Sequence, residues 1–344
     1  MVLIDAVYIN QTGGLVLLEH IIDRMTRQIS LQKVVFLLDD RVRNHFCNSN
    51  RHLNIIYLKG SELTRLNYYV KHKKDFNKVL CFANVPPPIK VDAEVFTYFQ
   101  NALIIDRDSQ TTFPWKARLS LKLKYFLIRS RLVNTDFFIV QTQNVSELLT
   151  KKFQWHNARV KVLPFYSCTT NCSVRKAKFD NKKFFYPASG HSHKNHEILL
   201  EAWINLKKTK KINGELHLTV GESFKELSEK LIRLNQEGYK VINHGVLSKE
   251  RVNELYRQSN FVIHPSFCES FGLVLIESLM NECILIAPDL PYVKSIVVPN
   301  YFFDARDRCS IEKAIMHAYC GENSLESKVV ITDKTEELIK LICG

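Results

Sequence analysis

The residues with the most chemistry in them lie between Asn260 and Val297, NFVIHPSFCESFGLVLIESLMNECILIAPDLPYVKSIV. An apolar run ends at His264, a loop follows with Pro265, Ser266 and Glu269, and the spacing predicts a helix opening near Phe271-Gly272 and running to Met280. The first amides of such a helix lack intrahelical partners and stand at the positive end of its dipole, which suits a diphosphate. Gly272 lets that backbone be approached closely. Glu269 and Glu277 are eight positions apart, one before the helix and the other about one and a half turns into it. Carboxylates accept from paired hydroxyls, so one can face a sugar beyond the phosphates and the other a ribose diol. A plain surface helix with scattered acids is the simpler alternative. Against it, Glu277 is flanked by Val274, Leu275, Ile276, Leu279 and Met280, where an unpartnered carboxylate is costly to bury.

Other clusters invite weaker readings. Lys194, in the segment FYPASGHSHKNHEILLEAW (185–203), supplies point charge without bidentate geometry and by itself reads as a solvated helix-start lysine. His191, His193 and His196 have ligand-like spacing, but they lie in a loop entering a helix, and no metal site is expected there. Gly13-Gly14 follows the first apolar strand and opens a helix, where amides can meet an anion or hydroxyl. The pair is too short for a dinucleotide fingerprint, and a tight turn explains it as well. Asp106-Arg107-Asp108 matches the D-x-D triplet with which single-domain, metal-dependent GT-A glycosyltransferases hold Mn²⁺ or Mg²⁺. That alternative leaves the Glu269–Glu277 segment unexplained.

The elements that must position these residues alternate. Leu3–Ile9, Val34–Leu38, Asn54–Leu58, Lys78–Phe82, Ala102–Ile105, Phe137–Val140 and Val160–Phe165 read as short apolar strands, several of them separated by helical stretches. After a polar, basic stretch the pattern restarts, with strands at 184–187, 216–220, 241–243, 261–264 and 283–287. Between and after them, helices are expected at 196–207, 225–236, 249–258, 272–280, 310–320 and 334–342. Continuous apolar strands alternating with amphipathic helices imply parallel sheets covered on both faces. The expected organisation is therefore α/β: a domain at 1–165, a linker at 166–181 and a second doubly wound domain at 182–344, with ligands at the carboxyl ends of the strands in a cleft between them.

The chain has 344 residues, 46% of them apolar and 24% charged, a composition that suits two folded domains and excludes a disordered one. No apolar stretch approaches the roughly 20 residues of a membrane span, and Met1–Asn10 reads as a buried strand and not as a leader peptide. The nine cysteines form no CxxC pair; Cys81, Cys268 and Cys283 sit in apolar surroundings, and Cys168 and Cys172 lie in the polar connector. The expectation is a reducing, cytoplasmic compartment with no structural zinc.

At Glu269-Ser270-Phe271-Gly272-Leu273-Val274-Leu275-Ile276-Glu277 the chain resembles the family 4 retaining glycosyltransferases of the GT-B fold, whose signature is a Glu, seven residues and a Glu, with Phe-Gly just after the first. Pro265-Ser266, Pro288-Asp289-Leu290-Pro291 and His244-Gly245-Val246-Leu247 agree with the family's flanking segments. The resemblance covers Phe184–Ala318 best and is that of a bacterial surface-polysaccharide enzyme. It implies two Rossmann-like domains, an acceptor half before a nucleotide-sugar half. It further implies that Glu269 contacts the transferred sugar, Glu277 the ribose, and Phe271, Gly272 and Leu273 the sugar and phosphate. Lys194 matches the family's diphosphate lysine, and Gly13 and Gly14 its acceptor and phosphate turn. Two departures stand out. Ala188-Ser189-Gly190 occupies the place of an expected Arg, and Gln100-Asn101 stands where the family has an acceptor-side His. The same architecture also serves nucleotide-sugar 2-epimerases.

The net charge of +13 is uneven: residues 1–165 hold 24 basic against 13 acidic residues, an excess of 11, and the remainder 24 against 22, an excess of 2. Trp115–Val133 contains six basic residues and no acid. At 100° per residue Trp115, Leu119, Leu123 and Phe126 share a face flanked by Lys116, Arg118, Lys122 and Lys124, a pattern suited to an anionic membrane surface or, equally, to a helix facing the core. No nucleic-acid motif accompanies the charge. The expected protein is thus a retaining glycosyltransferase with no cofactor beyond its nucleotide-sugar substrate. It is expected to act on a saccharide or lipid-linked saccharide at the inner face of the cytoplasmic membrane. A basic adaptor that turns nothing over is the non-enzymatic alternative.

Overall fold

The structure, a computed structural model, describes residues 1–10, 12–28, 31–46, 53–106, 113–154, 159–167 and 182–344. The chain forms two compact units, one of residues 1–110, 114–168 and 332–344, the other of 111–113 and 169–331.

The first unit carries β1 (Val2–Ala6), β2 (Val34–Asp39), β3 (Asn54–Leu58), β4 (Lys78–Cys81), β5 (Glu94–Tyr98), β6 (Phe137–Val140) and β7 (Val160–Val162), hydrogen-bonded in the order β3-β2-β1-β4-β5-β6-β7. All pairings are parallel; Leu3, for example, stands between Val35 and Val79. Its helices include α1 (Thr12–Gln28), α2 (Arg43–Phe46), α3 (Glu62–His72), α4 (Trp115–Ser130) and α5 (Gln143–Phe153). Side-chain oxygens of Ser61 and Thr142 accept from the third residues of α3 and α5, which sets those starts. Where strand order reverses, between β1 and β4, the buried Arg65 donates to Asp5 at 2.8 Å and to the carbonyls of Val85 and Pro86 at 2.9 Å, tying α3 to the loop that follows β4.

The second unit repeats the plan with β8 (Lys183–Tyr186), β9 (Glu215–Leu218), β10 (Val241–Asn243), β11 (Phe261–Ile263), β12 (Ile284–Pro288) and β14 (Tyr301–Phe303), in the order β10-β9-β8-β11-β12-β14 and again parallel. A short antiparallel pair, β13 (Val297–Val298) with β15 (Lys328–Val329), stands apart. Helices α6 (His196–Lys208), α7 (Lys225–Gln236), α8 (Lys249–Gln258), α9 (Leu273–Met280), α10 (Pro291–Lys294) and α11 (Arg308–Cys320) cover it. Its core packs Phe184 between Phe261, stacked at 4.3 Å, and the fully buried Trp203, with Leu216, Leu218, Val241 and Ile286 around them. Two doubly wound parallel sheets are the fold expected, and the six-stranded one has the dinucleotide-fold strand order.

Several expectations differ from the structure. Ala102–Ile105 is no strand: Ala102–Ile104 is a 3-10 turn whose N-terminal Asn101 accepts from Leu103, and the sheet position falls to β5, a segment the apolar pattern did not mark. The first strand stops at Ala6 and the seventh at Val162, each three residues short of its expected end. The last helix, α12 (Thr335–Cys343), falls within the expected 182–344 domain but packs on the first unit: it buries Leu338, Ile339 and Ile342, meets α1 through His20–Thr335, and receives Lys78 Nζ at the Leu341 carbonyl. Its apolar face needs a surface, and α1 with β4 supplies one. Within the expected linker, Tyr166 is buried, while residues 168–181, with Cys168 and Cys172, lie outside the described residues.

Candidate active site

The site grows out of strand order. In the second unit β8 and β11 are neighbours at the point where the winding reverses, so the loops leaving their carboxyl ends diverge and leave space between them. The loop after β8 carries Lys194 and the loop after β11 carries Glu269.

Cross-links hold the two loops in register. Asn195, buried and with φ of +58°, donates its amide to Pro265 O at 3.1 Å and to Ala305 O at 2.8 Å. Tyr186, the last residue of β8, lies 2.9 Å from both the Lys194 carbonyl and Ser266 Oγ; Tyr292 OH donates to Ser266 O at 2.7 Å. The Phe267 amide donates to His193 O at 2.9 Å. Lys194 Nζ then meets Glu269 Oε1 at 2.5 Å, their side chains 19% and 13% exposed. Burial alone works against an ionised Glu269, but the Lys194 ammonium, helped by His264 and His193, outweighs it and pulls the carboxyl down to about 2. Glu269 is therefore ionised at neutral pH.

Gly272 precedes α9 with φ of +63°, a left-handed conformation that side chains rarely adopt. A Cβ built there would also come within 3.2 Å of Leu275. Leu273 opens the helix half-buried, and Phe271 is buried beside it. Glu277 lies farther along α9 and accepts from Tyr256 OH of α8 at 3.0 Å. Burial raises its pKa, and the Tyr256 hydrogen bond and the Lys249 charge only partly offset that. The two acids are thus separated: one is paired with a cation ahead of the helix, the other with a phenol of α8, the helix that follows the His244–Ser248 loop.

The remaining candidates fall out differently. Gly13 and Gly14 belong to the first unit and lie inside the first turn of α1 instead of in a turn before it. A Cβ on Gly13 would meet nothing, and one on Gly14 would stand 3.3 Å from Gln100 and Ile9. In the stretch lacking the expected Arg, Gly190 lies under the Phe224 ring, where a Cβ would come within 2.6 Å. His196 directs Nε2 to the Ser189 carbonyl at 2.9 Å, and His193 stacks on His191 at 5.8 Å. Burial lowers both His193 and His196 to about 4, so they are neutral imidazoles. Among the described residues no three His, Cys, Asp or Glu side chains gather as metal ligands. Asp106 follows the 3-10 turn, and Arg107 and Asp108 lie outside the described residues. His264, Tyr186, Asn195 and Tyr292 carry no site motif of their own in the sequence; the position of His264, last before Pro265-Ser266 at a strand end, is the signal that marks it.

In α4 the buried residues are Leu121, Tyr125 and Ile128. The face of Trp115, Leu119, Leu123 and Phe126 is exposed, at 68%, 48%, 62% and 53%, as are Lys116, Arg118, Lys122 and Lys124. No helix among the described residues is long and apolar enough to cross a membrane.

Two doubly wound parallel sheets in this order are the fold of the GT-B glycosyltransferases. Residues 173–328 match the family described as Glycosyl transferases group 1. A search of curated proteins finds no sequence relative. Among solved structures the chain is similar to HepE of Anabaena in complex with UDP and glucose, at 13% identity and a TM-score of 0.66 over 94% of this chain and 92% of that one. It is also similar to WaaG, a glycosyltransferase involved in lipopolysaccharide biosynthesis (13%, TM-score 0.68, 93% and 90%). The lipopolysaccharide outer core galactosyltransferase WaaB is a third such structure (12%, TM-score 0.64, 99% and 94%).

Proposed function

We propose that this chain is a retaining, metal-independent glycosyltransferase of the family 4 type, moving a sugar from a nucleoside-diphosphate donor to a saccharide acceptor. The observation that carries the proposal is the Lys194–Glu269 pair beside the amino end of α9, with Glu277 held separately by Tyr256. In this reading the diphosphate draws the Lys194 ammonium and the first amides of α9, Glu269 turns to the sugar hydroxyls, and Glu277 accepts from the ribose diol. Phe271, Gly272 and Leu273 line the path between. HepE binding UDP and glucose supports a nucleotide sugar as the substrate.

Retaining hydrolases place a carboxylate nucleophile about 5 Å from a carboxylic acid. Here Glu269 is paired with an ammonium and Glu277 with a phenol, so neither serves as an acid partner to the other. The bond from the anomeric carbon to the diphosphate oxygen breaks, the acceptor hydroxyl bonds on the same face, and its proton passes to the departing phosphate oxygen. Lys194 and the helix amides stabilise the charge on that oxygen. Gly13 and Gly14 stay as acceptor-side candidates.

The acceptor is read as a lipid-linked surface-glycan precursor, reached by a peripheral enzyme at the inner face of the cytoplasmic membrane. The exposed apolar face of α4 and the four exposed cations on the same helix support attachment to an anionic surface, each cation near it contributing about 1 kcal/mol. WaaB and WaaG, named for lipopolysaccharide synthesis, point the same way.

The test is a panel of nucleotide sugars, each incubated with and without acceptor lipid extract, scoring released nucleoside diphosphate and product configuration. Acceptor-dependent release with retained configuration supports the reading. Isomerised donor without acceptor would make the protein an epimerase, and absence of nucleoside-diphosphate binding would make it an adaptor.

A further inference from the structure

His264 follows directly on β11 and is 1% exposed. Its backbone amide donates to Ile286 O, and its ring is held edge-on by Tyr186 and Tyr292, centroids 5.7 and 6.2 Å away. Among the described residues neither ring nitrogen has a hydrogen-bond partner. A buried polar group left unmatched costs about 1–3 kcal/mol, and such a group in a packed site calls for an explanation. The nearest acceptor is Glu269 Oε1, 3.7 Å from Nε2, close enough for attraction but too far for a hydrogen bond. That oxygen is engaged by Lys194 at 2.5 Å.

The geometry changes once Lys194 has another partner. A diphosphate that attracts the ammonium leaves Glu269 with no cation, and His264 is the one imidazole among the described residues with a ring nitrogen within 4 Å of its carboxylate. We propose that His264 is a positioning residue for Glu269: its Nε2–H closes onto the carboxylate when the donor's diphosphate draws Lys194 away, so that Glu269 keeps its aim at the sugar. This rests on the assignment of Lys194 to the diphosphate and Glu269 to the sugar. The ring's environment agrees with such a handover. Burial holds His264 down at about 4; Glu269 acts upward on it, and Lys194 and His193 act downward, while Tyr186 and Tyr292 face it as neutral rings. Withdrawing the Lys194 charge removes a downward influence and leaves the upward one.

Ring-nitrogen NMR of the whole chain tests this without any assay of activity. The His264 signal is assigned as the one missing from His264→Gln, and it is followed against pH in wild type, in wild type with inorganic diphosphate, and in Lys194→Met. The proposal expects at least a tenfold gain in proton affinity at His264 in Lys194→Met, and a shift in the same direction with diphosphate. Identical titration in wild type and Lys194→Met overturns it. In transfer assays His264→Leu should lower kcat at least tenfold with UDP, GDP or ADP affinity within twofold, and His264→Gln, which retains a donor, should recover most of the loss. Wild-type kcat in His264→Leu also overturns it. Absence of transfer from every nucleotide sugar would instead sink the proposed function, leaving the titration to decide the His264–Glu269 relation alone.

Discussion

Replacing Lys194 by Met gives the sharpest test of the energetics at the site. Methionine keeps most of the side chain's length and removes its charge, leaving Glu269, 13% exposed, without its ammonium. In the intact pair Glu269 is held at about 2 against an ordinary 4.5. A shift of that size corresponds to about 3 kcal/mol of differential stabilisation, at about 1.4 kcal/mol per pKa unit. Because the folded value is the depressed one, this stabilisation is complete above about pH 4.5 and drains away as pH falls toward 2. The ammonium and carboxylate both keep some contact with water, so Lys194→Met should cost about 2–3 kcal/mol at pH 7, less than the ~3–5 kcal/mol of a fully enclosed pair. In scanning calorimetry that is a fall of about 4–12 °C in the transition of the second unit. The variant should lose less stability than wild type between pH 4.5 and 2, since its Glu269 no longer starts from a depressed value. Lys194→Met/Glu269→Gln should recover much of the loss at pH 7, giving a coupling of about 2 kcal/mol. Additive single-variant losses, or equal acid profiles in wild type and Lys194→Met, would refute the pairing argument.

Glu269→Ala and Glu277→Ala should each cut turnover at least tenfold with the fold intact by circular dichroism; wild-type rates in the double variant would sink the site assignment. EDTA treatment should leave transfer unchanged, and restoration of lost activity by Mn²⁺ would return the Asp106–Asp108 alternative to contention. Replacing Lys116, Arg118, Lys122 and Lys124 by Glu should release the protein from anionic vesicles at low salt without weakening nucleoside-diphosphate binding, and unchanged sedimentation with vesicles would show the helix charge to be incidental. Gly190→Ala forces a Cβ to within 2.6 Å of the Phe224 ring and should cost about 1–3 kcal/mol in denaturant titration; a neutral result would mean the Phe224 ring moves freely.

Much of the architecture is local and could be read from the chain. Helices at 225–236 and 249–258 are observed with the bounds the periodicity predicts, because each is amphipathic over several turns and needs no distant information to choose its face. Fully apolar strands such as Val34–Leu38 announce a sheet buried on both sides. The acid spacing of Glu269 and Glu277 is equally local, since a loop and one helix carry both. Ala102–Ile105 misled because apolar character alone does not distinguish a strand from a short buried turn, and the sheet position went to β5, whose start at Glu94 interrupts the pattern. Tertiary structure alone decided what Glu269 touches. Its partner Lys194 lies 75 positions earlier, and the two meet because β8 and β11 are adjacent in a sheet whose order no local pattern encodes. The same holds for α12, whose apolar face says that it must be covered but not by which unit. It holds also for His264, which in sequence is one more residue at a strand end. Its buried, unpartnered ring facing Glu269 follows from the packing of Tyr186 and Tyr292 around it, contacts between segments far apart in the chain that only folding brings together.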